Sequence, residues 1–203
     1  MASQTASEDI PTHWALTGSM GAGKSTVLQM FSDAGWLTLD SDQIVRGLLT
    51  EDPEILQKIS ERWGPGVLSE DGSANRPEIG KIVFKDPNEL RWLEDQLHPR
   101  VRQRWMDFLQ TAGTVPVIVE IPLLFEKNLE PHFSQTVCLS ISPDLQLERL
   151  AKRGMASDTA RDRLARQLPT SEKVKRADKV ICNDGSLAFL RAQVEALLRP
   201  FSN

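Results

Sequence analysis

Short apolar runs alternate along this chain with longer stretches in which apolar residues recur three and four positions apart. That is the pattern of strands alternating with amphipathic helices in a parallel sheet. Trp14 to Thr17 reads as the first buried strand, and Lys24 to Ala34 as a helix with Val27, Leu28 and Phe31 at core spacing and Gly35 as its stop. Trp36 to Leu39 is a second short strand running into Asp40-Ser41-Asp42, after which Ile44, Val45, Leu48 and Leu49 mark a helix. Residues 53–86 read as a helical excursion, with Pro53 near a helix start and the turn-rich stretch Trp63 to Gly72 between helices.

Asp86-Pro87-Asn88-Glu89 has the cap, the first-turn proline and the acidic third residue of a helix start. Leu90, Leu93, Leu97, Val101, Trp105 and Phe108 follow on one face. Pro99 inside that run predicts a kink or a restart, which would re-aim His98 and the cluster Arg100, Arg102 and Arg104. Val115 to Ile121, rich in β-branched residues, predicts a strand buried on both faces and carrying Glu120 near its end. Pro122 to Glu126 is an apolar loop or helix start. Thr136 to Ile141 is a fourth strand, Pro143 to Arg153 and Asp158 to Leu168 are helices, Val180 to Cys182 is a fifth strand, and a last helix runs to about Leu198.

Composition bounds this picture. The 203 residues, 40% hydrophobic, suffice for one sizeable core with room for a smaller inserted domain. Cys138 and Cys182 both fall in strand-like runs, which favours small buried side chains over a disulfide or metal pair, and a reducing cytoplasm as the compartment. Residues 1–12 are polar and carry Glu8 and Asp9, so they are expected to be a loose tail and neither a secretory signal nor a transit peptide. No run approaches the length of a membrane span. The net charge of −4 disfavours general nucleic-acid binding, yet residues 149–176 hold nine Lys/Arg against three Asp/Glu, leaving −10 elsewhere. That basic segment is either a solvated face or an anion site. Arg149 and Arg153, four apart on one helix face, repel unless an anion lies nearby.

The chemistry starts after the first strand. Gly18, four residues, then Gly23-Lys24-Ser25 is the spacing of a P-loop, whose glycines let backbone N–H groups turn inward around a phosphate. Lys24 reaches the β and γ phosphates, Ser25 can ligate Mg²⁺, and the helix beginning near Lys24 aims its positive dipole end at the nucleotide. The dinucleotide glycine fingerprint fits poorly, since it has no use for Lys-Ser. Asp40 and Asp42 sit at a strand's carboxyl end, where open parallel sheets place ligands. Either could instead simply cap the following helix. His98 taken alone reads better as a packed or capping histidine than as a ligand.

These stretches together resemble the dephospho-coenzyme A kinase family from about Trp14 to Leu198. The resemblance is carried by Leu-Thr-Gly-Ser-Met-Gly-Ala-Gly-Lys-Ser (16–25), Asp-Ser-Asp (40–42), Trp-Gly (63–64), Leu-His-Pro-Arg-Val (97–101), Pro-Leu-Leu-Phe-Glu (122–126), Leu-Glu-Arg-Leu (147–150), Arg-Leu-Ala-Arg-Gln (163–167) and Arg-Ala-Asp (176–178). The family usually has Gly-Gly-Ile-Gly-Ser-Gly in the loop and Asp-Ala-Asp after the second strand, so the departures here remove no chemical group.

The resemblance implies an α/β P-loop three-layer fold with a five-stranded parallel sheet. The core would span about 13–50, 114–148 and 178–203, with a helical substrate domain over about 51–113 and a lid over about 149–177. It implies transfer of the ATP γ-phosphate to the ribose 3′-hydroxyl of dephospho-coenzyme A, with Mg²⁺ as cofactor. Gly18, Ser19, Met20, Gly21, Ala22, Gly23, Lys24, Ser25 and Thr26 would bind ATP, with Ser25 on Mg²⁺. Asp42 would be the base, with Lys24, Arg149 and Arg153 stabilising the transferred group. Asp42, His98, Pro122, Leu123, Leu124 and Glu126 would face the acceptor. Other readings are a nucleoside, nucleotide or sugar kinase, or a non-enzymatic ATP-dependent binding protein that would not need Asp42. A regulatory GTPase is disfavoured because the guanine-selecting Asn-Lys-x-Asp sequence is missing.

Overall fold

The structure, a computed structural model, describes residues 12–201, so the expected tail lies outside the described residues apart from Thr12. In chain order the elements are β1 (His13–Gly18), α1 (Lys24–Asp33), β2 (Leu37–Asp40), α2 (Ser41–Glu51), α3 (Pro53–Trp63), α4 (Arg76–Val83), α5 (Pro87–Thr111), β3 (Val117–Glu120), β4 (Gln135–Ser140), α6 (Pro143–Lys152), α7 (Ser157–Ala165), α8 (Thr170–Arg176), β5 (Lys179–Cys182) and α9 (Leu187–Leu198). They form two compact units. Ser41–Gln110 is one, and the segments up to Asp40 and from Thr111 make the other.

The second of these is the sheet unit. Its five strands are all parallel, in the order β2-β3-β1-β4-β5. From β1 the chain goes out over β3 to build one edge, and from β3 it crosses β1 to build the other. The carboxyl ends of β1 and β3 therefore flank a topological switch point, the place where such sheets bind ligands. Central burial explains the composition: β1 is buried from Trp14 to Gly18 and β3 throughout, and both are nearly continuous in apolar residues. The strand expected over Val115–Ile121 is shorter because Pro116 has no N–H for the ladder, though its carbonyl still accepts from Leu37 N at 2.9 Å.

Helix α1 lays Val27, Leu28 and Phe31 on the sheet together with Leu190, Val194 and Leu198 of α9. Trp14 meets Trp36 edge-on at 4.9 Å and Phe31 at 6.0 Å. Each such buried aromatic contributes on the order of 2–3 kcal/mol by burial. Gly35, at φ +85°, lets the chain leave α1 so that Trp36 N can return to Phe31 O at 3.1 Å.

The helical unit, α2 to α5, closes on its own core of Leu48, Leu49, Ile55, Ile59, Val83, Leu93 and Leu97. It takes in α2, so it begins at Ser41, ahead of the boundary of about 51 expected for the helical domain. Asp52 caps α3, accepting from Glu54 N and Ile55 N at 3.1 Å each, and its carboxylate also pairs with Arg100. Arg100 is therefore occupied within this unit, and it reaches Glu54 as well. The cap at Asp86 is present, accepting from Asn88 N at 2.8 Å, but Glu89 does not close a capping box. Its carboxylate instead accepts from Arg62 and from the Trp63 indole N–H at 2.7 Å, and it is held below the usual carboxylate range by those donors. Helix α5 runs on through Pro99, so of the kink or restart expected there the restart does not occur. Leu93, Leu97, Trp105 and Leu109, buried on both sides of the proline, hold the two halves in one helix and offset the lost hydrogen bond.

Candidate functional site

The centre of the sheet unit's site is the loop after β1. Its backbone requires glycine twice over: Gly23 sits at φ +99°, and a Cβ there would lie 2.4 Å from Asn183 Nδ2, while a Cβ on Gly18 would lie 2.9 Å from Leu139 O. Lys24 opens α1 yet is buried, and its ammonium donates to Ser19 O at 3.4 Å and pairs with Glu120 at 3.6 Å. The lysine is thus held in the loop before any phosphate arrives. Register accounts for the partner, because Leu16 of β1 stands beside Glu120 of β3, so β3 delivers its carboxylate at the mouth of the loop. Ser25 and Thr26 are exposed at the start of α1, where Thr26 N and Val27 N turn back to Gly23 O at 3.1 and 3.3 Å.

Residues far along the chain complete the loop's surroundings. Gln146 of α6 donates to Ser19 Oγ at 2.9 Å and to Met20 O at 2.6 Å. Asn183, at the end of β5, donates to Ala22 O at 2.6 Å, and its own carbonyl accepts from Arg149 at 3.0 Å. Gln167 accepts from Met20 N at 3.3 Å, and the hydroxyls of Ser19 and Thr170 lie 3.0 Å apart. Gln146 and Thr170 did not stand out in the sequence, and Gln167 did so only as the last residue of Arg-Leu-Ala-Arg-Gln (163–167). Asn183 had a local signal, an Asn-Asp-Gly at a strand's carboxyl end beside the P-loop strand's neighbour.

The stretch Pro122–Glu126 follows β3 as turns, with Leu124 and Phe125 buried. Pro122 O accepts from Thr17 Oγ1 at 3.3 Å and from Lys173 Nζ at 2.7 Å. Glu126 pairs with Lys173 at 2.8 Å and accepts from Leu168 N at 2.9 Å. Lys173 is wholly buried, and removing either charge would strand the other at a cost of about 3–5 kcal/mol.

Of the expected site residues, the sheet unit therefore gathers the P-loop, Arg149 and Pro122–Glu126. Arg153 is the exposed C-cap residue of α6, which ends at Lys152. Asp42 and His98 belong to the helical unit. Asp42 is exposed in the first turn of α2, directly after the strand end at Asp40, and His98 is half-buried in α5. The two cysteines are free thiols; Cys138 is buried in β4 and its pKa is pushed up to about 11 by that burial, which keeps it protonated and inert, whereas Cys182 is only half-buried. No helix among the described residues is long and apolar enough to cross a membrane.

This geometry can cradle a nucleotide's phosphates and neutralise a transferred one, and known proteins with the same arrangement identify the chain's relatives. Residues 13–188 match the model of the dephospho-CoA kinase family. A dephospho-CoA kinase of Bacillus cereus is 38% identical over 188 residues, covering 91% of this chain and 94% of that one. A crystal structure from Thermus thermophilus superposes with a TM-score of 0.78 at 32% identity, covering 95% of this chain and 99% of that one. The dephospho-CoA kinase from Campylobacter jejuni has a TM-score of 0.73 at 26% identity, covering 95% and 98%. The chain belongs to the dephospho-CoA kinase family.

Proposed function

We propose that this chain performs its family's reaction, transfer of the ATP γ-phosphate to the ribose 3′-hydroxyl of dephospho-coenzyme A, the last step of coenzyme A biosynthesis in the cytoplasm. The observation that supports this most directly is the P-loop at the sheet's switch point, with Lys24 already aimed by Ser19 O and Glu120. Phosphoryl transfer asks for positioning and charge neutralisation more than for covalent help. The loop's N–H groups and the start of α1 hold the β and γ phosphates, Lys24 neutralises charge as it shifts to the leaving oxygen, and Arg149 adds a second cation beside Asn183. Asp42 orients or deprotonates the acceptor hydroxyl.

The donors present suit Mg²⁺. Ser25 offers an exposed hydroxyl beside the phosphate cradle, and Mg²⁺ takes few protein oxygens while keeping waters and phosphate oxygens. When bound, the ion neutralises the transferring phosphoryl group. His98 and the Pro122–Glu126 stretch face the acceptor, the 51–113 helices shape its site, and residues 149–177 act as the lid. One assay tests the reading: ADP formation with dephospho-coenzyme A, AMP, adenosine and gluconate as acceptors. Turnover with dephospho-coenzyme A is expected to exceed the others by on the order of 10²-fold or more in kcat/KM, the scale of polar recognition. Equal or greater turnover with another acceptor would overturn it.

A further inference from the structure

Residues 167–176 tie together two parts of the sheet unit that are distant in sequence. At one end, Gln167 and Thr170 meet Met20 N and Ser19 Oγ of the P-loop. One turn on, Lys173 grips Pro122 O and Glu126 at 2.7 and 2.8 Å. A further turn on, Arg176 donates to Phe125 O at 3.2 Å, lies 4.7 Å over the Phe125 ring and pairs with Glu130. The three-residue spacing of 170, 173 and 176 keeps these groups on neighbouring positions of a single short helix.

Lys173 is the hub. A wholly buried ammonium is tolerated only while its acceptors stay in place, so Lys173, Pro122 O and the Glu126 carboxylate shift together. Pro122 O is also held by Thr17, the residue before Gly18, so the same carbonyl is tied to the strand that launches the P-loop. Glu126 is half committed: Oε1 holds Lys173 and Leu168 N, whereas Oε2 is buried with no hydrogen-bond partner among the described residues. A hydroxyl donated to Oε2 would act on the carboxylate that anchors α8.

We propose that the Lys173–Glu126 pair is a positioning element that couples acceptor binding to the P-loop: a ribose-bearing acceptor at Pro122–Glu126 steadies Lys173, and through α8 steadies Gln167 and Thr170 over the phosphates. This rests on the reading of 122–126 as the acceptor side. Coupling between sites is reciprocal and is measured as a ratio of affinities.

The test titrates a non-hydrolysable ATP analogue with Mg²⁺ into the full chain, with and without saturating dephospho-coenzyme A. The acceptor, saturating for each protein, should tighten analogue binding by about fivefold or more in the unaltered protein, and by under about twofold in Glu126→Gln and Lys173→Met, each ratio taken against that variant's own Kd for the analogue alone. Lys173→Met leaves a buried carboxylate without a counter-charge, so Lys173→Met/Glu126→Leu, which removes both charges, is measured beside it with circular dichroism as the check on folding. The double variant should be folded and uncoupled. Coupling retained in the folded variants, or an unaltered chain whose analogue affinity ignores bound acceptor, overturns the proposal alone. Failure of dephospho-coenzyme A to bind in a direct titration overturns it together with the reading on which it rests.

Discussion

Lys24 carries two duties that pull in different directions when it is replaced. As the cation on the transferring phosphate it is expected to cost on the order of 10²-fold or more in turnover when changed to alanine. As the partner of buried Glu120 at 3.6 Å, its loss also leaves a carboxylate without its counter-charge, so Lys24→Ala should lower Tm as well. The pair of measurements separates the effects: Lys24→Ala/Glu120→Gln should regain thermal stability and remain inactive. Recovery of turnover in that double variant would remove Lys24 from the chemistry. Asp42 is tested in the complementary way. Asp42→Asn keeps shape but loses charge, so kcat should fall by roughly 10²- to 10⁴-fold with the ATP analogue bound as before. A variant that loses Tm alone would reduce Asp42, the second residue of α2, to a carboxylate favouring the helix's positive end. The P-loop could be read from the sequence at this scale because each of its residues acts on its own neighbours. The contacts of Gln146 and Lys173 could not, since their partners stand 126 and 51 residues away and nothing local marks them.

At the scale of elements, capping and termination were mostly visible. Asp52-Pro53 and Asp86-Pro87 begin α3 and α5 as local chemistry dictates, and Gly35 ends the turn after α1. Pro99 was the exception, because a proline's local cost was outweighed by apolar burial on either side of it in α5. At the other end of the sheet unit's basic segment, Arg149 in the last turn of α6 turns to Asn183 O. What holds residues 167–170 against the loop is a neutral amide and a hydroxyl, contacts weak enough to leave this stretch loosely held until a nucleotide's charge draws the basic segment in. Nucleotide binding should therefore order it further. Amides in residues 149–168 are expected to gain hydrogen-exchange protection with an ATP analogue and Mg²⁺, and Arg149→Ala should lower kcat more than it raises KM for the acceptor. Identical exchange with and without nucleotide, alongside unaffected turnover, would leave the segment a basic surface.

At the scale of the whole molecule, the alternation of apolar runs and helical periodicity was enough to give five parallel strands interleaved with helices, since burial on both faces leaves a composition that any reader of the chain can see. The glycine spacing of 18 to 23, with Lys24 and Ser25 after it, likewise specified a phosphate loop, because the positive φ of Gly18, Gly21 and Gly23 is a demand local to each residue. The order β2-β3-β1-β4-β5 was not written in any one stretch. It is decided by which strands can share a core, and it alone brings Glu120 beside Lys24 and Asn183 beside Ala22. The break between units at Ser41 is likewise tertiary, because α2 is amphipathic in either setting and only the packing of Leu48 and Leu49 with Ile55 and Leu93 assigns it to the helical unit. Glu126 makes the same point for the site: its motif marked it as worth a role, but only the fold, by burying Lys173 against it, determined which group it holds, since the stabilisation of a buried charge depends on partners that the chain brings near only after it has folded.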